Sequence, residues 1–274
     1  MPSEKPLIYL LLGAAGSGRR EVIADLIEGG LAEGEKAAVL ISADEALSPA
    51  DAKFSLIRLW RWIPPPPMEQ GHFDREDAPA LPVATIELDA DGELPADATR
   101  IFFLTDGRRS PVDQVEAFKS WAVLQNVELA RVICVVNCQL AAAHPRLLPW
   151  FDACIHFSDV VLLNHREGVA NKWMSDFQEH FKSQFLPCLF EMVKGGRVRN
   201  PALLLEPQAL RVSHIFDEEV DWLLTNEEGE EVEDEDEVDE DEEITATPIE
   251  DIYFARRIGG RRDKEIPDIT KFLA

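Results

Sequence analysis

Residues 8–27 read IYLLLGAAGSGRREVIADLI, and this stretch decides the fold. Residues 7–12 form an apolar run with the length of a buried strand. Three glycines follow, and then an amphipathic helical pattern. Gly13-Ala14-Ala15-Gly16-Ser17-Gly18-Arg19-Arg20 keeps the glycine spacing of G-x-x-x-x-G-K-[ST] and departs from it at the last two positions. Glycines let successive N–H groups turn inward, and the helix that follows adds its positive end, so a loop of this kind cradles phosphate. Those features belong to the backbone and survive here. Arg19 keeps the charge of the lysine in a larger, planar group. Arg20 stands where a hydroxyl would ligate Mg²⁺, and a cation cannot ligate a cation. The eight residues from Gly13 to Arg20 are therefore candidate phosphate contacts without the usual metal route. The plain alternative is a glycine-rich turn that binds nothing.

Working outward, apolar runs recur at 36–42, 83–88, 100–106, 130–137 and 159–164, with helical patterns at 18–29, roughly 49–62, 111–125, 145–152 and 167–186. Alternating strands and helices predict an α/β fold of the P-loop type: a mostly parallel sheet with helices on both faces. Such sheets bind ligands beyond the carboxyl ends of their strands. Residues 61–82, RWIPPPPMEQGHFDREDAPALP, interrupt the rhythm. Four consecutive prolines can neither continue a helix nor join a ladder, which makes this an exposed loop. His72, Asp74, Glu76 and Asp77 within it are a weak oxygen/nitrogen metal set, for which loop solvation is the simpler account.

The formal net charge is −25, and 14 acidic residues among the 17 from 227 to 243 supply more than half of it. Self-repulsion, with only two valines to set against it, predicts a disordered tether there. An acidic chain lacks the basic face that nucleic acid requires. Residues 248–274 recover aromatic and basic side chains, including Arg256, Arg257, Arg261 and Arg262. They read either as a docking peptide or as neutralisers of the acidic run. The expected organisation is a nucleotide-binding domain over 1–216, a tether over 217–247 and a basic, aromatic segment over 248–274. A protein partner is expected to meet the tether, this last segment or the proline-rich loop.

Cys134, Cys138, Cys154 and Cys188 form no CxxC pair and read as reduced, buried thiols. Cys134 and Cys138, four residues apart on an extended strand, would lie roughly 13 Å apart, too far to share a metal. The apolar start is too short for a secretory leader, and no window is apolar enough to span a membrane, so the expected location is the cytoplasm.

With the loop placed, AVLISADEALSPAD (38–51), FFLTDGRRSPVDQV (102–115) and FSDVVLLNHRE (157–167) fall into an order that resembles the CobW-type GTPases, relatives of the urease and hydrogenase maturation GTPases. The resemblance covers about residues 7–190 and lies in order and spacing more than in identity. It implies GTP or another NTP as ligand and a metallochaperone-like or regulatory role. Gly107 and Pro111 keep their places in the family's E-S-T-G-x-x-x-P, but its glutamate falls on Leu104. Asp106 is then the candidate catalytic carboxylate, since an apolar strand ending in Asp-Gly also presents a carboxylate to metal. At the family's N-K-x-D the chain has Asn164-His165-Arg166-Glu167. Asn164 matches the amide that reads the purine, and Glu167 carries one methylene more than the guanine-reading aspartate. The family's C-x-C-C segment has no counterpart, and its smaller C-terminal domain gives way to the acidic tether.

Three readings of function follow. The first is a regulator that holds a nucleotide while hydrolysing it slowly or not at all, since phosphoryl transfer needs Mg²⁺ and a positioned water. The second is a nucleotide-free pseudo-GTPase that recruits a protein partner. The third is a competent GTPase that uses Asp106. The first and third assign Arg19 to phosphate.

Overall fold

A computed structural model describes residues 5–66, 82–89, 92–217, 222–225, 245–248, 250–257 and 260–273. The metal-ligand candidates at 72–77 and the acidic run at 227–243 lie outside the described residues. The chain divides into two units, one of Met1–Val212 with Glu265–Ala274 and the other of Ser213–Lys264.

The first unit is built on an eight-stranded sheet. Its strands are β1 (Leu7–Leu12), β2 (Ala37–Ser42), β3 (Ile57–Ile63), β4 (Thr85–Leu88), β5 (Arg100–Leu104), β6 (Glu128–Asn137), β7 (Val160–Asn164) and β8 (Leu189–Met192). They lie in the order β4-β3-β2-β5-β1-β6-β7-β8. Every pairing is parallel except β3 with β4 at the edge. The central strands are apolar and buried on both faces, as a parallel sheet covered by helices requires. This is the expected fold class. Beneath one face, α1 (Arg19–Gly30) and α6 (Pro201–Leu204) pack Val22, Ile23, Leu26 and Leu204 against Tyr9, Leu11, Phe102 and Ile133. Over the other, Phe118 and Trp121 of α2 (Pro111–Gln125) meet Phe103 at ring distances of 5.1 and 5.2 Å. The chain leaves β1 towards β2 on one side, and later crosses from β5 to β6 on the other. The strand order therefore turns about at β1, and the loop after β1 opens at the switch point.

Two elements differ from the sequence reading. The helix expected at 49–62 is a short 3-10 turn, Pro49–Lys53, followed by β3. Ser48 caps that turn in a reciprocal box with Asp51, and the turn stops at once. Beyond it, Ile57, Trp60, Trp62 and Ile63 are β-branched and aromatic residues that favour a pleated surface, and Trp60 also donates its indole N–H to Leu104 O at 3.0 Å. Cys138 does not continue a strand. It opens the short helix α3 (Cys138–Ala143), which Asn137 caps by accepting from Leu140 N. The remaining helices are α4 (Leu148–His156) and α5 (Asn171–Lys182). At the other end of the chain, Ile269 is buried and the Phe272 ring lies 5.3 Å from that of His144.

In the second unit, β9 (Trp222–Thr225) and β10 (Thr245–Pro248) form an antiparallel pair. Arg257 pairs with Asp263 at 3.0 Å, and Arg262 lies over the Phe254 ring. All four cysteines are free and buried. Burial pushes the Cys138 and Cys188 thiols up to about 12, so neither is a nucleophile at neutral pH.

Candidate phosphate-binding site

The loops at the carboxyl ends of β1, β2, β5, β7 and β8 surround one cavity of about 540 Å³. Its floor is the loop from Ala15 to Glu21. Its walls are Glu45, Ala46, Ser48 and Arg108 on one side and Asn164, His165, Glu167, Gly195 and Gly196 on the other. Gly13, Gly16 and Gly18 all take positive φ, as the tight turn demands. Gly18 is the N-cap of α1 and offers no side chain to it, so the first turn of the helix keeps its N–H groups free of a cap. Ser17 is fully buried, lines the cavity, and has no hydrogen-bond partner for its Oγ.

Two asparagines hold the loop from behind. Asn137 and Asn164 are register partners at the ends of β6 and β7. Asn164 Nδ2 donates to Ser17 O at 2.9 Å, and Asn137 Nδ2 reaches Gly16 O at 3.5 Å. A Cβ on Gly18 would come within 2.3 Å of Asn164 Nδ2, so only glycine allows this approach. Asn164 is thereby a positioning residue of the loop. Glu167 stands exposed at the rim.

Both arginines of the altered motif turn into the protein. Arg19 is 4% exposed. Its guanidinium donates to Thr105 O and, at 2.5 Å, to Glu45 Oε1. Arg20 donates to Glu45 Oε2 at 3.1 Å, and to Asp51 Oδ2 and Ala46 O at 2.8 Å each. Glu45 Oε1 also accepts from Gly107 N at 2.9 Å. Burial alone would push the Glu45 carboxyl up. The Arg19 charge, the Gly107 N–H and the Arg20 charge outweigh that and hold it below its ordinary value. Two cations and two carboxylates thus neutralise one another at the cavity wall. Arg108, exposed at the rim, is the cavity-lining arginine with its guanidinium left out of this cluster.

Asp106 is not among the residues lining the cavity. Its Oδ1 accepts from Arg108 N and its Oδ2 from Arg109 Nε, both at 3.0 Å, while Gln114 bonds its backbone. The strand end does place Gly107 against the loop, where Gly107 O accepts from Ala15 N at 3.0 Å. A Cβ on Gly107 would meet Ala15 N at 2.2 Å. Magnesium does not fit the residues present: the two carboxylates that meet the loop from the β2 side, Glu45 and Asp51, are both bonded to Arg20, the cation that replaces the metal-ligating hydroxyl. Among the described residues no group of three metal-binding side chains converges anywhere, and no helix is long and apolar enough to cross a membrane.

Sequence reasoning missed Glu45, Asp51, Asn137 and the pair Gly195-Gly196. For Glu45 and Asp51 a signal existed: two acidic residues in the loop after β2 face two unexplained arginines.

No protein-family description matches the chain, and no curated protein does. Among solved structures it is similar to the Zn(II)-bound YjiA GTPase from E. coli, at 14% identity and a TM-score of 0.39, with 81% of this chain and 72% of that one covered. It is also similar to a Zn(II)-bound triple mutant of YjiA GTPase, at 16% identity and a TM-score of 0.41, with the same coverage. At such distances nothing of that protein's site passes to this one.

Proposed function

We propose that this protein holds a nucleotide by its phosphates through backbone N–H groups, without magnesium and without appreciable hydrolysis, in an accessory or regulatory role. The observation that carries the reading is the cavity of about 540 Å³ over an uncapped helix N-terminus, with the buried Ser17 Oγ unpartnered at its floor. That volume suits a nucleotide-sized ligand. The loop N–H groups and the α1 dipole supply the attraction for phosphate, and Arg108 adds a positive charge at the rim. Asn164 and Glu167 flank the space left for a base. Hydrolysis lacks its usual parts: Asp106 is held by Arg108 and Arg109, and the metal-ligating hydroxyl is replaced by Arg20, which pairs with Asp51. A regulatory role calls for a protein partner, and the acidic run, the segment after it and the proline-rich loop are the segments suited to recruit one.

Calorimetry with GTP, GDP, ATP and ADP, each with and without Mg²⁺, tests the reading. Binding that is indifferent to Mg²⁺ and unaccompanied by turnover supports it. Absence of binding favours the nucleotide-free interaction module, and Mg²⁺-dependent turnover favours an enzyme that uses Asp106.

A further inference from the structure

The lysine of a phosphate loop reaches the β- and γ-phosphates, and the hydroxyl beside it holds the magnesium ion that bridges them. Here the residues at those two positions, Arg19 and Arg20, both grip Glu45, one on each carboxylate oxygen. The N–H of Gly107 closes on the same Oε1. Arg20, which replaces the metal-ligating hydroxyl, is also joined to a second protein carboxylate, Asp51. The loop that follows β2 is thereby pinned to the phosphate loop by these ion pairs. We propose that Glu45 is a built-in stand-in for a terminal phosphate, so that the site takes a nucleoside diphosphate and rejects the triphosphate.

The inference rests on the nucleotide-binding reading and narrows it. The free N–H groups at the start of α1 and the unpartnered Ser17 Oγ are open to two phosphates. A third would have to lie beside a buried carboxylate, where like charges repel strongly, or expel that carboxylate and leave two buried arginines to be re-paired. Magnesium offers no relief, because Arg20 replaces the hydroxyl that would ligate it and already engages Glu45 and Asp51. A diphosphate meets neither obstacle.

The test compares the full chain with Glu45→Gln, which keeps the shape and removes the charge. Calorimetry on the unaltered protein should give GDP an affinity at least roughly tenfold above that of GTP, a difference that Glu45→Gln should shrink or reverse. A second readout is independent of the base: inorganic triphosphate should raise the melting temperature of Glu45→Gln by several degrees while leaving the unaltered protein nearly unmoved, whereas pyrophosphate should raise that of both. Equal affinity for GDP and GTP in the unaltered protein overturns the inference and leaves nucleotide binding standing. Failure of both nucleotides to bind, combined with stabilisation of Glu45→Gln alone by inorganic triphosphate, overturns nucleotide binding and keeps the stand-in. A variant unmoved by triphosphate whose GDP-to-GTP ratio matches that of the unaltered protein removes any role for Glu45. Should Glu45→Gln not fold, Glu45→Asp draws the carboxylate back by one methylene and should narrow the same ratio, and the ratio in the unaltered protein decides by itself.

Discussion

Buried charge occurs at both ends of the parallel sheet, with opposite surroundings. At the amino end of β7, Asp159 is fully buried and accepts from Val132 N and Leu210 N at 2.6 Å each, with Arg211 at 3.3 Å. At the carboxyl end of β2, Glu45 is gripped by Arg19 and Arg20. The first cluster ties the chain at 210–211 onto the sheet and contributes nothing to the lining of the large cavity, whereas the second forms one of its walls. Burying an ion is costly in either place and is tolerated only where partners satisfy it. The cluster at the carboxyl end lies beside the large cavity. On the proposed reading, the partners of Glu45 serve recognition as well as stability, whereas those of Asp159 serve stability alone.

The sharpest way to break this comparison is to remove each anion in turn. Asp159→Ala leaves Arg211 and two backbone N–H groups without their anion and should destabilise the fold by about 3–5 kcal/mol, as read by urea unfolding. No added phosphate should recover the loss. A cost below about 1 kcal/mol would show that water or neighbouring groups satisfy that end as well, and the contrast between the two ends would vanish.

What the sequence made legible divides along the same line. The strand at 7–12, the glycine turn, the helix after it and the parallel order came from local pattern, because apolar period and glycine placement are local properties. The length of the helix at 49–62 was misread, since Ser48 and Pro49 do open a helical turn and only the alternation of Arg58, Trp60 and Trp62 betrays the strand. The fate of Arg19 and Arg20 was not legible. Pairing between residues some 25 positions apart depends on which loop folds over which, and spacing along the chain does not report it. Asn164 was found through a resemblance and given a base to read, whereas its Nδ2 braces the loop. Asp106 matched a motif, but the arginines that hold it come from its own turn.

A smaller effect separates two glycines of one loop. Gly18→Ala places a Cβ 2.3 Å from Asn164 Nδ2 at a φ of 86°. The strain and the displaced asparagine together should cost roughly 2 kcal/mol and weaken nucleotide binding. Gly16→Ala, at a φ of 72° with nothing within 4 Å, should cost only about 1 kcal/mol. Thermal unfolding of the two variants orders them. If Gly16→Ala proves the worse, the brace by Asn164 is not what limits the loop.

The smallest effect is a dependence on acidity that both ends of the sheet share. Glu35, near the amino end of β2, is also held below its ordinary value. Burial opposes this, but the N–H of Ala32 and the Arg100 guanidinium prevail. For Glu35 and Glu45 alike the folded state binds its proton more weakly than the unfolded chain does. Each contribution is therefore complete above the ordinary value of 4.5 and fades as pH falls through the lower folded value. Glu35→Gln and Glu45→Gln should each flatten the rise of stability with pH below about 4.5, as measured by urea unfolding across that range. Only Glu45→Gln should gain a response to inorganic triphosphate, because Arg100 and Glu35 are not part of the cavity lining. A triphosphate response in Glu35→Gln would mean that the ligand acts on the whole acidic surface, and the distinction between the two ends of the sheet would then have to be given up.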